Sequence, residues 1–108
     1  MNSPRHSVRL ICWKADRTRE LSEQLETAGF AVDAGVIDGP ALRALGQTPP
    51  DVVVIDLGRL PAQGRDVGVM LRTTAHSRHT PLVFVDGAEA KVDRTRQVLP
   101  DASYTARD

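Results

Sequence analysis

The chain has 108 residues, in which Lys and Arg together number 14 and Asp and Glu together also number 14. That length suits one domain with a modest core, and the even charge leaves no basic field to draw in nucleic acid or an anionic membrane, so any nucleic-acid contact would have to be local. A single cysteine, Cys12, excludes a disulfide framework and fits a reducing cytoplasm.

No stretch is apolar enough to span a bilayer, and the opening Met1-Asn2-Ser3-Pro4-Arg5-His6 leads into no signal-peptide core. The expectation is a cytoplasmic protein, with a flexible tail over residues 1–6 and one domain over 7–108. Along the chain, Val8-Arg9-Leu10-Ile11-Cys12-Trp13 reads as a first strand. Asp16 is a candidate N-cap for a helix to about Ala28, with Leu21, Leu25 and Ala28 on one face and Gly29 closing it. Residues 30–34 read as a half-exposed second strand. Asp38-Gly39-Pro40 opens a short helix that carries Leu42 and Leu45 and ends at Gly46.

Pro49-Pro50 then delivers the chain into Asp51-Val52-Val53-Val54-Ile55-Asp56, whose unbroken apolar run reads as a strand buried on both faces. A third helix is expected from about Arg65 to Ala75, burying Val67, Met70 and Leu71. Residues 81–86 form another central strand, a fourth helix carries Ala88, Val92 and Leu99, and residues 102–106 are a last short strand. Strands alternating with helices mean a doubly wound α/β protein with a parallel sheet.

Asp56 is the residue on which function turns. A carboxylate where a buried parallel strand stops sits at the sheet's mouth, where open α/β sheets bind ligands. The plain alternative is that it caps the following loop, since Asp is common where strands end.

The order of elements, Asp56 behind its strand, the Leu60-Pro61 pair, Gly64, Pro81 before the fourth strand, and the closing Ala102-Ser103-Tyr104-Thr105-Ala106-Arg107 together resemble the response-regulator receiver domain of two-component signalling. The likeness spans about residues 7–108. It implies a flavodoxin-like fold with five parallel strands in the order 2-1-3-4-5, and it puts Asp56 at the phosphoacceptor position.

The departures from that family bear on activity. The resemblance implies an acidic pair after the first strand to hold Mg²⁺, and here Cys12 and Trp13 stand there; neither suits a hard cation that wants oxygen ligands. Where the family has Ser or Thr after the fourth strand, this chain has Asp86, and its closing lysine becomes Arg107. The loop after Asp56 carries one residue more before Pro61 and one fewer between Pro61 and Gly64. The sequence stops where a fifth helix would begin, so the last helix is expected to be missing.

Two carboxylates about 5 Å apart at an effective dielectric near 20 repel by roughly 3 kcal/mol. Asp56 and Asp86 are thus expected to form an anionic pair with Arg107 as counter-ion, a site unwelcoming to a donor phosphate. On that basis Asp86→Thr should leave the fold unchanged or stabilise it by up to about 2 kcal/mol. Trp13 is expected to plug the vacated metal pocket rather than stack a ligand, and Cys12 to be a small buried hydrophobe. His76-Ser77-Arg78-His79 reads as a solvated loop.

The reading is a receiver-like signalling domain, not an enzyme, with no cofactor, acting through protein contacts with a kinase, an output domain or a second copy, and binding neither nucleic acid nor membrane. One alternative is a true phosphoaccepting receiver whose Mg²⁺ sits on Asp16, Asp56 and Asp86. Another is a small flavodoxin-like nucleotide- or flavin-binding protein, although no Gly-rich cradle follows the first strand. With a helix absent, apolar side chains of the first, third and fifth strands are expected to face water until a partner covers them.

Overall fold

The computed structural model describes residues 5–105. Arg107 and the first four residues lie outside that range. Five strands form one parallel sheet: β1 (Ser7–Ile11), β2 (Ala31–Asp33), β3 (Val52–Asp56), β4 (Leu82–Val85) and β5 (Ser103–Thr105), in the order β2-β1-β3-β4-β5. Four helices connect them: α1 (Ala15–Thr27), α2 (Gly39–Gln47), α3 (Pro61–Thr73) and α4 (Glu89–Val98). The doubly wound sheet and its strand order agree with the expectation from sequence.

Alternation of side chains along the strands divides the core in two. Val8, Leu10 and Val54 point to one face and pack with Leu21 and Leu25 of α1. Ile11, Val53, Ile55, Leu82 and Phe84 point to the other, beneath α2, α3 and α4. β3 is central: Val53 and Ile55 are fully buried on one side and Val54 nearly so on the other. That is why its sequence is continuously apolar up to Asp56.

Several element ends differ from the sequence reading. α1 begins at Ala15, with Lys14 in the N-cap position, so Asp16 lies inside the first turn and does not cap the helix. Its carboxylate accepts instead from the N–H of Arg17, at 3.0 Å. α3 starts at Pro61 rather than near Arg65, because proline's fixed φ and missing N–H suit the first position of a helix. At α2 the Asp38 carboxylate accepts from the Ala41 N–H at 2.9 Å, the cap that Asp38-Gly39-Pro40 implies. Gly29, at φ 101°, turns the chain out of α1 in the left-handed region.

The expected exposure on the α1 side is smaller than the sequence suggested. Val8, Leu10 and Val54 are buried beneath α1, and β5 offers that face Ser103 and Thr105 rather than apolar side chains. Val32 and Val52 are half-buried on that face, as are Val83 and Val85 of β4.

Candidate functional site

Four backbone segments meet at the C-terminal edge of the sheet: the ends of β1, β3 and β4 and the first turn of α1. Asp56 closes β3 and is 2% exposed. Its Oδ1 accepts from the Gly58 N–H at 3.0 Å, and its Oδ2 accepts from the Cys12 thiol at 3.5 Å. The first of these is a local turn that ties the carboxylate to its own loop. Strand alternation brings Cys12 here: Val8, Leu10 and Cys12 share the face on which Val54 and Asp56 lie. Burial, and then the neighbouring Asp56 charge, push the Cys12 thiol above its ordinary value, so Cys12 is a neutral hydrogen-bond donor and a poor nucleophile.

Asp86 follows β4 and is also buried. Its backbone stands at φ 62°, the left-handed region that Asp and Asn tolerate better than branched residues. Its carboxylate is held by Arg17: Nε donates to Oδ2, and Nη2 donates to Oδ1 at 3.0 Å. Nη1 of the same guanidinium reaches Glu20 at 2.9 Å. These acceptors raise the Arg17 pKa above its already high value, so its charge is permanent.

Asp86 thus has Arg17 as a counter-ion, while the expected Arg107 lies outside the described residues. An N-cap at Asp16 would have left Arg17 outside the pocket's reckoning. With the helix beginning at Ala15, Arg17 falls on the first turn and points back across the strand ends. A basic residue one turn inside a helix that follows the first strand was the available signal.

Lys14, Arg17, Asp56, Gly58, Arg59 and Asp86 line a depression of about 250 Å³. Three cations thus face two carboxylates, and the expected net negative site is overturned. Trp13 is corrected as well. Alternation puts it on the side of Arg9 and Ile11, where it is half-buried against the larger core cluster and lines a separate depression with Ile37, Leu42, Val67 and Met70. It does not plug the carboxylate pocket.

A divalent metal fits this site poorly. Among the described residues no group of three His, Cys, Asp or Glu side chains is arranged to hold one. Asp16, Asp56 and Asp86 are not brought together. The one buried carboxylate beside Asp56 is already bound at both oxygens by a guanidinium, and the remaining neighbour is a protonated thiol, which does not suit Mg²⁺.

The His76–His79 segment lies before β4, at the other end of the sheet. Its Ser77 is buried and donates to the Leu71 carbonyl at 2.7 Å, sealing the end of α3, while both histidines are exposed.

The fold as a whole has a counterpart among solved structures. The crystal structure of the N-terminal domain of response regulator receiver protein from Methanoculleus marisnigri JR1 matches with a TM-score of 0.71, covering 95% of this chain and 85% of that one. The fold is that of a response-regulator receiver domain. Sequence identity to that structure is 17%, so the likeness is one of fold. No family model and no curated protein matches the sequence. Within the receiver fold, Asp56 ends the central strand, and Arg17 supplies the cation beside it. Among the described residues no helix is long and apolar enough to cross a membrane.

Proposed function

We propose that this chain is a signalling domain of the two-component or phosphorelay kind that works through protein contacts, without catalysis and without phosphorylation of Asp56. The receiver fold supports the signalling class. One observation carries the rest: Asp86, in the carboxylate pocket, is bound by the Arg17 guanidinium through two nitrogens. A phosphoryl transfer depends on positioning and on neutralising charge, chiefly by metal. Here Asp56 is 2% exposed, and both its oxygens already accept hydrogen bonds from Gly58 and Cys12. To attack a donor it would have to break these contacts, beside a donor set that suits a divalent ion poorly.

Incubation with a small phosphodonor and Mg²⁺, followed by intact mass measurement, is expected to leave the mass unchanged. A stoichiometric phosphate adduct that disappears in Asp56→Asn would overturn the proposal and make the domain a true phosphoacceptor.

A further inference from the structure

Between the first turn of α3 and the middle of α4 runs a depression of about 310 Å³. Four cationic side chains, Arg59, Arg65, Lys91 and Arg94, line it, together with the apolar Leu60 and Pro61, and neither a carboxylate nor an aromatic ring does. Arg59, Lys91 and Arg94 are exposed, and among the described residues none of the three has a carboxylate oxygen within 4.0 Å. Arg65 has only its chain neighbour Asp66, at 3.9 Å. Of the two acids on α4, Asp93 is engaged by Arg96 at 3.5 Å, and Glu89 has no basic nitrogen within 4.0 Å among the described residues.

This is a separation of charge in a chain whose formal net charge is zero. Asp66, Glu89 and Asp93 lie on the same two helices without lining the groove, and Asp16, Glu20, Glu23 and Glu26 are exposed along α1. Like charges gathered in a concave place repel one another, and that cost is relieved when a negative partner enters.

We infer that the α3–α4 groove is a docking site for an acidic segment of a protein partner. Three features select that occupant. Each cation is exposed or half-exposed and contributes little alone, so useful affinity needs several negative charges presented together. The floor of Leu60 and Pro61 gives an extended peptide an apolar surface between its charges. Nucleic acid would want rings to stack its bases and a broader basic field, and the groove has no ring while the chain has no net positive charge.

The inference deepens the reading of a domain that acts by protein contacts, but its test reads the groove and is silent on Asp56. Either can fail without the other. A fluorescein-labelled dodecapeptide of alternating Glu and Ser, titrated with the whole chain and followed by anisotropy, is the probe.

Binding is expected at low salt and should weaken steeply between about 0.05 and 0.5 M ionic strength. The double variant Lys91→Glu with Arg94→Glu should weaken it by about tenfold or more. Arg43→Glu, an exposed charge reversal on α2, should leave it unchanged. Circular dichroism melts confirm that each variant is folded, and the milder pair Lys91→Gln with Arg94→Gln should give an intermediate loss.

Four results would overturn the inference. They are no binding up to millimolar peptide, equal binding of the Gln-for-Glu peptide, an equal effect of Arg43→Glu, or tighter binding of a single-stranded oligonucleotide of the same charge. A dimer in sedimentation that the Lys91/Arg94 charge reversals abolish would assign the groove to the acidic α1 of a second copy instead.

Discussion

Arg17 and Asp86 are separated by 69 positions in the chain and meet through two hydrogen bonds at the edge of the sheet. The side chain of Asp86 is 8% exposed and that of Arg17 28%, so the pair is partly desolvated, and loss of one partner strands the other. Asp86 also holds a left-handed backbone that a β-branched residue adopts only at a cost. Asp86→Thr therefore combines two penalties and is expected to destabilise the fold by about 2–3 kcal/mol, the reverse of what mutual carboxylate repulsion implied. Asp86→Asn keeps the backbone preference and should cost about half as much. Urea unfolding of both variants checks the sign; a Thr variant as stable as the parent would show that neither the ion pair nor the φ of 62° matters. At this scale the sequence was partly legible. Asp56, Asp86 and Cys12 could be placed from strand ends alone, and the structure does bring them together. Arg17 could not, because its role depends on which residue starts α1, and an Asp two positions into a helix looks like a cap. Trp13 was misplaced for a simpler reason: strand alternation, carried two residues past Ile11, already assigned it to the opposite face.

Glycines in α3 show what helical spacing alone does not reveal. Gly64 and Gly68 are buried in a helix where alanine would be the better former, by about 1 kcal/mol in a free helix. A Cβ on Gly68 would stand 2.6 Å from Leu99 Cδ1 and 2.9 Å from Phe84 Cζ. The ring of Phe84 is stacked on Tyr104 with centroids 5.2 Å apart, so it has little room to yield. Overpacking of this kind costs about 1–3 kcal/mol. Gly68→Ala should thus destabilise the fold despite its better propensity, by a net of about 1 kcal/mol, and lower the melting temperature; a variant that melts higher would mean that α3 can move away from the sheet. The nine elements themselves were readable from apolar runs and punctuating Gly and Pro. Their ends are less so: Pro61 follows a loop-like Gly58-Arg59-Leu60 and reads as its continuation, although proline's geometry suits the first position of α3.

On the scale of the molecule, the sheet face covered by α1 is better closed than a count of helices suggests. Four half-buried valines, Val32, Val52, Val83 and Val85, are what that face's strands leave partly open, with Ser103 and Thr105 beside the last two. The remaining exposed valines, Val36, Val69 and Val98, are scattered one by one through the sequence. That falls short of the several hundred Å² of contiguous apolar surface that marks an obligatory interface. Sedimentation of the 108-residue chain at about 100 μM is accordingly expected to report a monomer, a concentration at which an apolar interface of standard size would hold most copies together. A dimer that persists at high salt would show that the valine strip is larger in solution than the described surface.

The parallel arrangement of all five strands also governs time. No strand can pair with the next one across a tight turn: Val8 must find Val32 beyond α1 and Val52 beyond α2, and Val53 must find Leu82 beyond α3. Each ladder has to close a long loop before any hydrogen bond rewards it, which places such chains toward the slow side of small-domain folding. On a ribosome the central position of the sheet stays vacant until β3 has emerged. Until then β1 has only the three-residue β2 to pair with, and the nascent chain carries unpaired, strongly apolar strand that a chaperone would recognise.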